Sequence, residues 1–215
     1  MAPNIPINLK LRSKADRDVA LAQDIIIMEL YKFFPEAVLH GGTGIWRCHH
    51  GNRFSEDVDV YINNDAQMLD NFFKSLMTKG FKINKRRLKE NSVYSGLSFN
   101  NIQTKFEASF QKKKYISMNY EASDGFFIRV LTLSAEDFLI EKVETYISRK
   151  KIRDLYDIHF LASGVQDKKI VEAELKKLIK NYKEPVDKKN LAGLIVVGAV
   201  PTSEELLREI KIWAK

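Results

Sequence analysis

Asp57 and Asp59 stand one valine apart in the segment DVDVYI, residues 57–62. If that segment is a strand, residues two apart point to the same face, so both carboxylates share one side of a sheet. Two carboxylates held together repel unless a cation lies between them, and hard divalent ions such as Mg²⁺ prefer oxygen ligands. Upstream, Gly41-Gly42-Thr43 reads as a turn that opens a helix, which turns free backbone N–H groups and a positive dipole end toward an anion. Carboxylates for metal beside a cradle for phosphate are the parts of a phosphoryl- or nucleotidyl-transfer site. Either feature alone has a plain structural explanation, a common turn or a solvent-facing edge; their proximity in sequence favours the site.

Three further positions carry chemistry. Glu107 alternates with Phe106 and Ala108 and therefore points away from the apolar face, as a third carboxylate (metal ligand or base) or as a surface glutamate paired with a lysine. Lys142 lies in an apolar stripe with Phe138 and Tyr146 at helical spacing, where a lysine must snorkel or meet an anion. Asp154 and Asp157 sit three apart among Ile152, Leu155, Tyr156, Ile158 and Leu161. So apolar a helix is expected to be buried, and its carboxylates need partners, either site groups or a salt bridge to Arg149, Arg153 or Lys142. A zinc site at His40, Cys48, His49 and His50 is set aside, because adjacent residues rarely converge on one ion.

The elements that must position these residues are legible from periodicity. Lys14–Phe34 reads as a helix with apolar positions at Val19, Leu21, Ile25, Ile26, Leu30 and Phe33, ended by Pro35. Ala37–His40 is a short strand, Ile45–His50 one or two helical turns, and Asp57–Ile62 a strand with Val58 and Val60 buried. Asp65–Lys79 is helical and closed by Gly80. From Phe81 to Leu133 four strands follow (FKINKRRL, SVYSGLSF, TKFEASF and GFFIRVLTL), with turns at Asn100-Asn101 and Ser123–Gly125. Helices are then expected over Ala135–Lys150, Ile152–Ser163, Asp167–Tyr182 and Ser203–Trp213, the first capped by Ser134. The division is an α/β core with an N-terminal helix over 1–133 and a helical bundle over 134–215.

Composition bounds the rest. The chain of 215 residues is 45% hydrophobic and 11% aromatic, ample for a core and unlike a disordered or low-complexity chain. No apolar run approaches the roughly 18–20 residues of a membrane span, the longest being Leu191–Val200. The start, MAPNIPINLKLRSK, lacks a secretory h-region, and one cysteine makes no internal disulfide. A cytoplasmic protein without membrane association is expected. The net charge of +7 and the clusters KINKRRLK, Lys112–Lys114 and RKKIR leave polyanions open as partners.

Gly41-Gly42-Thr43 followed by Asp57-Val58-Asp59 resembles the signature of the DNA-polymerase-β-type nucleotidyltransferase superfamily. The longer form, running through Arg53-Phe54-Ser55-Glu56-Asp57-Val58-Asp59, is similar to the AbiEii/AbiGii toxins and MenT-type nucleotidyltransferases. Arg149-Lys150-Lys151-Ile152-Arg153-Asp154-Leu155-Tyr156-Asp157 resembles that branch's second motif, with Lys142 upstream of it. Gly44 departs from the pattern, where helix formers are usual. The resemblance implies an α+β, polymerase-β-type fold, a mixed sheet flanked by helices followed by a C-terminal helical half. It implies Mg²⁺, two ions, held by Asp57 and Asp59, and an NTP whose phosphates meet Gly41, Gly42, Thr43, Arg53, Ser55 and Lys142. Catalytic roles would fall to Asp57, Asp59, Lys142, Asp157, Asp154 and Glu107, with Lys142 and Asp157 contributed by the helical half. The implied activity moves an NMP to an acceptor hydroxyl, on RNA such as a tRNA 3′ end, in a toxin–antitoxin or abortive-infection system with an antitoxin encoded nearby. Modification of a small molecule or protein, and a non-catalytic nucleotide- or RNA-binding domain, are the alternatives.

Overall fold

The computed structural model describes residues 5–214; the first four residues of the stretch inspected for a secretory signal lie outside them. The chain divides into two compact units, 1–50 with 55–132, and 51–54 with 133–215.

The first unit is a seven-stranded mixed sheet in the order β3-β4-β5-β2-β1-β7-β6. Its elements are α1 (Ile7–Lys10), α2 (Lys14–Phe33), β1 (Val38–His40), α3 (Gly41–Cys48), β2 (Asp57–Ile62), α4 (Ala66–Thr78), β3 (Lys82–Lys89), β4 (Ser92–Phe99), β5 (Ile102–Phe110), β6 (Ile116–Glu121) and β7 (Phe127–Thr132). The central strand β2 runs antiparallel to β1 and parallel to β5. Val58, Val60, Phe106, Ala108, Val93 and Leu97 point to one face and form the core with Ile26, Ile27 and Leu30 of α2 and Leu69, Phe72 and Phe73 of α4. Period-2 alternation then leaves Asp57, Asp59 and Glu107 on the other face.

Most of the expected elements are present within a residue or two; the short α1, a 3₁₀ turn at Lys188–Asn190 and a short helix at Leu191–Leu194 come in addition, and other features differ. Gly41-Gly42-Thr43 is not a separate turn but the first turn of α3. Strand β6, an edge strand paired with β7, is absent from the sequence expectation although Ile116, Met118 and Tyr120 alternate with Ser117, Asn119 and Glu121; Tyr120 and Met118 face the core while Ile116 is exposed. The buried face of α2 includes Gln23 and Asp24, whereas Leu21 is 42% exposed.

Those two polar residues hold neighbouring elements in place. Arg47 of α3, fully buried, donates to Asp24 at 3.1 Å and to the carbonyls of Ala20 and Glu121, both at 3.0 Å. Asp24 also accepts from the Tyr120 hydroxyl and the Ser123 amide, each at 2.8 Å. The ion pair thus ties α2, α3 and β6 together.

The second unit is helical: α5 (Ala135–Arg149), α6 (Ile152–Ala162), α7 (Lys168–Asn181), a 3₁₀ turn at Lys188–Asn190, α8 (Leu191–Leu194) and α9 (Ser203–Trp213). The Ser134 hydroxyl caps α5 by accepting from the Asp137 amide. Gly51–Phe54 joins this unit through backbone bonds, Phe54 N–H to the Leu194 carbonyl and Val196 N–H to the Asn52 carbonyl, both 2.8 Å. No helix among the described residues is long and apolar enough to cross a membrane.

Arg47→Leu strands the Asp24 carboxylate in the core, and breaking such a pair costs about 3–5 kcal/mol. Urea unfolding of this variant is expected to show a sharply lowered midpoint, with Asp24→Asn added on the same chain restoring part of it.

Candidate active site

In the first unit the strand register brings three carboxylates into one patch. Asp59 of β2 lies opposite Glu107 of β5 and His40 of β1, and Asp57 lies opposite Lys105. The Lys105 ammonium sits 3.2 Å from Asp57 Oδ1. Burial would lower the Lys105 pKa, but the Asp57 charge outweighs it and holds the ammonium above the ordinary lysine value. Lys105 was not singled out from the sequence as a partner; its alternation with Glu107 was the available signal.

Gly41 explains how α3 reaches this patch. Its φ is +67°, and a Cβ there would fall 2.8 Å from Asp59 Cγ and 2.9 Å from Asp59 Cβ. Only a glycine allows both the left-handed backbone and the contact. No side chain caps the start of α3, so its first amides present a positive dipole end beside Asp59.

Thr43 does something other than meet a phosphate with its hydroxyl. It is fully buried, donates to the Asp57 carbonyl and accepts from Gln23 Nε2 at 3.2 Å. Gln23 also donates to the Ser55 carbonyl at 2.7 Å. Thr43, Gln23 and the Ser55 backbone therefore fasten α3, α2 and the entry of β2, which sets the position of Asp57. Cys48 is buried, and burial pushes its thiol up to about 12, so it is neither ligand nor nucleophile at neutral pH.

Asp57 and Asp59 supply hard oxygen donors on one face, which suits Mg²⁺, an ion that commonly takes one or two carboxylates and completes its shell with water and substrate phosphate. Among the described residues no three His, Cys, Asp or Glu side chains form a group that could hold a metal. Glu107, although in register with Asp59, does not close a three-ligand set.

The second unit gathers the remaining predicted residues into an ion cluster. Arg53 forms a two-pronged bond to Asp157, Nε to Oδ1 at 2.8 Å and Nη2 to Oδ2 at 2.7 Å, and its Nη1 donates to the Phe54 carbonyl at 3.0 Å. Lys142 reaches Asp157 at 2.7 Å and Asp154 at 3.5 Å. Arg149 grips Asp154 with two bonds of 2.8 Å. Arg53, expected at a phosphate, has all three guanidinium nitrogens engaged inside its own unit. Burial would raise the Asp157 pKa, yet Arg53 and Lys142 overcome it and hold the carboxyl at about 2. Three cations face two carboxylates, leaving one positive charge in excess.

Asp157 titrates below the ordinary 3.8 when folded, so its contribution is full above that pH and fades as pH falls through about 2. Asp157→Asn leaves Arg53 and Lys142 short of a partner, at a cost of about 3–5 kcal/mol at neutral pH. Urea unfolding of both chains at pH 7, 4 and 2.5 is expected to show the gap between wild type and variant narrowing only below pH 4.

No curated protein matches the chain significantly. Solved structures do: a protein from Helicobacter pylori crystallised as a candidate nucleotidyltransferase has a TM-score of 0.63 and 21% identity, covering 94% of each chain. JHP933 from Helicobacter pylori has a TM-score of 0.57 at 20% identity, covering 91% of this chain and 90% of that one. MenT4, a nucleotidyltransferase toxin from Mycobacterium tuberculosis, has a TM-score of 0.63 at 17% identity, covering 97% and 90%. These likenesses establish the fold, a mixed sheet flanked by helices as in nucleotidyltransferase toxins. The family model for nucleotidyl transferase AbiEii toxin, type IV TA system, matches residues 27–210. The chain therefore belongs to the AbiEii toxin family of nucleotidyltransferases from type IV toxin–antitoxin systems.

Proposed function

We propose that this nucleotidyltransferase moves an NMP from an NTP to a hydroxyl of RNA, a tRNA 3′ end being the expected acceptor, in a Mg²⁺-dependent reaction. The observation that carries the proposal is the packing of Gly41 against Asp59 on a strand that also presents Asp57. It supports a site in which carboxylates and helix-end amides meet the same triphosphate. Asp57 and Asp59 would hold Mg²⁺, which when bound neutralises charge on the triphosphate and on the leaving pyrophosphate.

The chain's own groups then have separate tasks. The backbone amides at Gly41 and Gly42 receive phosphate oxygens, while Thr43 and Ser55 keep that turn against β2. Glu107 accepts the proton of the acceptor hydroxyl as its oxygen bonds to the α-phosphorus and the α–β anhydride bond breaks, releasing pyrophosphate. Lys105 partly neutralises Asp57 in the resting protein and frees it when the metal nucleotide arrives. Lys142, Asp154 and Asp157 are residues on which turnover depends, supported by the excess positive charge of their cluster. Arg53 acts by fixing Asp157. An antitoxin encoded nearby would restrain the activity in the cell.

The test is incubation with each α-³²P-labelled NTP, total tRNA and Mg²⁺, with EDTA and Asp57→Ala as controls. Label is expected in RNA with the wild type, falling at least about 100-fold in Asp57→Ala and vanishing with EDTA. Label on protein or on a small molecule instead, with none on RNA, would replace RNA as the acceptor.

A further inference from the structure

The outer face of the sheet does not end at the carboxylates. Reading the register outward from β2, Asp59 lies opposite Glu107 of β5, Glu107 opposite Tyr94 of β4, and Tyr94 opposite Arg87 of β3. In the adjacent rows Asp57, Lys105, Gly96 and Lys85 follow one another, and Ser109, Ser92 and Lys89 do likewise. Strands are about 4.8 Å apart, so β3 begins to present its side chains roughly 14 Å from Asp59.

An irregularity in β3 decides which side chains face this way. Ile83 pairs with Leu97 and Lys85 pairs with Gly96, so Asn84 is an extra residue in the strand. Without it, alternation from Ile83 would turn Lys85, Arg87 and Lys89 toward the core and Arg86 outward. With it, Arg86 packs over the Phe73 ring at 4.5 Å and pairs with Asp70 at 2.6 Å, on the side of α4. Lys85, Arg87 and Lys89 go to the carboxylate face, all exposed. Lys82, opposite Ser98 and exposed, joins them.

Among the described residues, none of these four cations has a carboxylate within ion-pair distance, in contrast to Arg86. Lys85 instead lies 5.8 Å from the centre of the half-buried Tyr94 ring. Gly96, next to Lys85, adds no side chain, so the floor beside Tyr94 is open. A row of unpaired cations flanking an aromatic ring is the pattern that binds a single strand of nucleic acid, charges to phosphates and ring to a base.

Resting on the RNA acceptor of the proposed function, we propose that Lys82, Lys85, Arg87 and Lys89 form a track for its single-stranded end, with Tyr94 stacking on a base. The strand would run across β5 and β4 toward the patch at Asp57 and Asp59. At roughly 14 Å the cations meet phosphates a few nucleotides back from the reacting hydroxyl, because phosphates follow each other at about 3.4 Å or more along a strand. The NTP itself stays at the Gly41 end and does not use the track.

Two variants test this, Lys85→Gln/Arg87→Gln/Lys89→Gln and Tyr94→Leu, each checked for an unchanged circular dichroism spectrum. Binding of a fluorescein-labelled single-stranded RNA is followed by anisotropy from 50 to 300 mM salt, and NTP binding by calorimetry. The triple variant is expected to lose about 10- to 100-fold in RNA affinity at 100 mM salt, with its salt slope reduced by about 2. Tyr94→Leu is expected to lose about tenfold with the slope unchanged. NTP affinity stays as in the wild type in both.

Unchanged RNA affinity in the triple variant overturns the track, and so does a loss of NTP affinity equal to that for RNA, which would assign the cations to the triphosphate. Displacement of the RNA by polyglutamate of equal charge would reduce the face to a general polyanion surface and also overturn it. The two readings fail separately. Label transferred to RNA equally well by wild type and triple variant sinks the track alone. Salt-dependent RNA binding through these residues without any transfer sinks the RNA acceptor and leaves the track.

Discussion

Between Gly41 and the side chain of Asp59 there is no room for a methyl group, and much of the sheet unit follows from that contact. It requires β1 and β2 to be antiparallel neighbours and α3 to begin the moment β1 ends. It also leaves the helix start without a side-chain cap, so its first amides remain available to an anion. A carboxylate pressed against the positive end of a helix is electrostatically favourable. The resting protein is therefore stabilised by the same arrangement that is proposed above to receive phosphates. Gln23 and Thr43, both buried, secure the arrangement from behind.

Charge is handled differently in the two units. On the sheet, Asp57 and Asp59 are only half-buried, and Asp57 is paired with the exposed side chain of Lys105. In the helical unit Asp154 and Asp157 are almost wholly buried and gripped by two-pronged arginine bonds with Lys142 between them. Such a cluster resists rearrangement, because withdrawing any one member exposes the others to desolvation without compensation. The short segment Gly51–Phe54 brings Arg53 to it, although the residues on either side belong to the first unit.

Much of this was legible in the sequence. Alternation placed β2, and Val58 and Val60 are buried as expected. The capping residues and apolar spacing bounded the four long helices of the second unit. The partners of Asp154 were named from the apolar helix around it, two of the three candidates being correct. What escaped is what tertiary contacts decide. The inward turn of Gln23 and Asp24 depends on Thr43 and Arg47, residues on a helix 20 positions away. Arg53 is attached to Asp157, 104 residues later, and no local pattern announces a pairing of that range.

The hairpin between β4 and β5 turns on two residues alone, Asn100 and Asn101, both with positive φ, and Phe99 is paired directly with Ile102. Asparagine accepts that backbone more readily than most side chains do, and a two-residue loop of this kind fixes the pairing on both arms. The partnership of Tyr94 with Glu107 is therefore dictated from the loop, thirteen positions apart in sequence though adjacent across the strands. In descent, this hairpin can lengthen or shorten its arms only in matched steps. A single unmatched insertion would turn the polar and apolar sides of one arm over, so relatives are expected to vary here in paired increments or to carry a compensating kink.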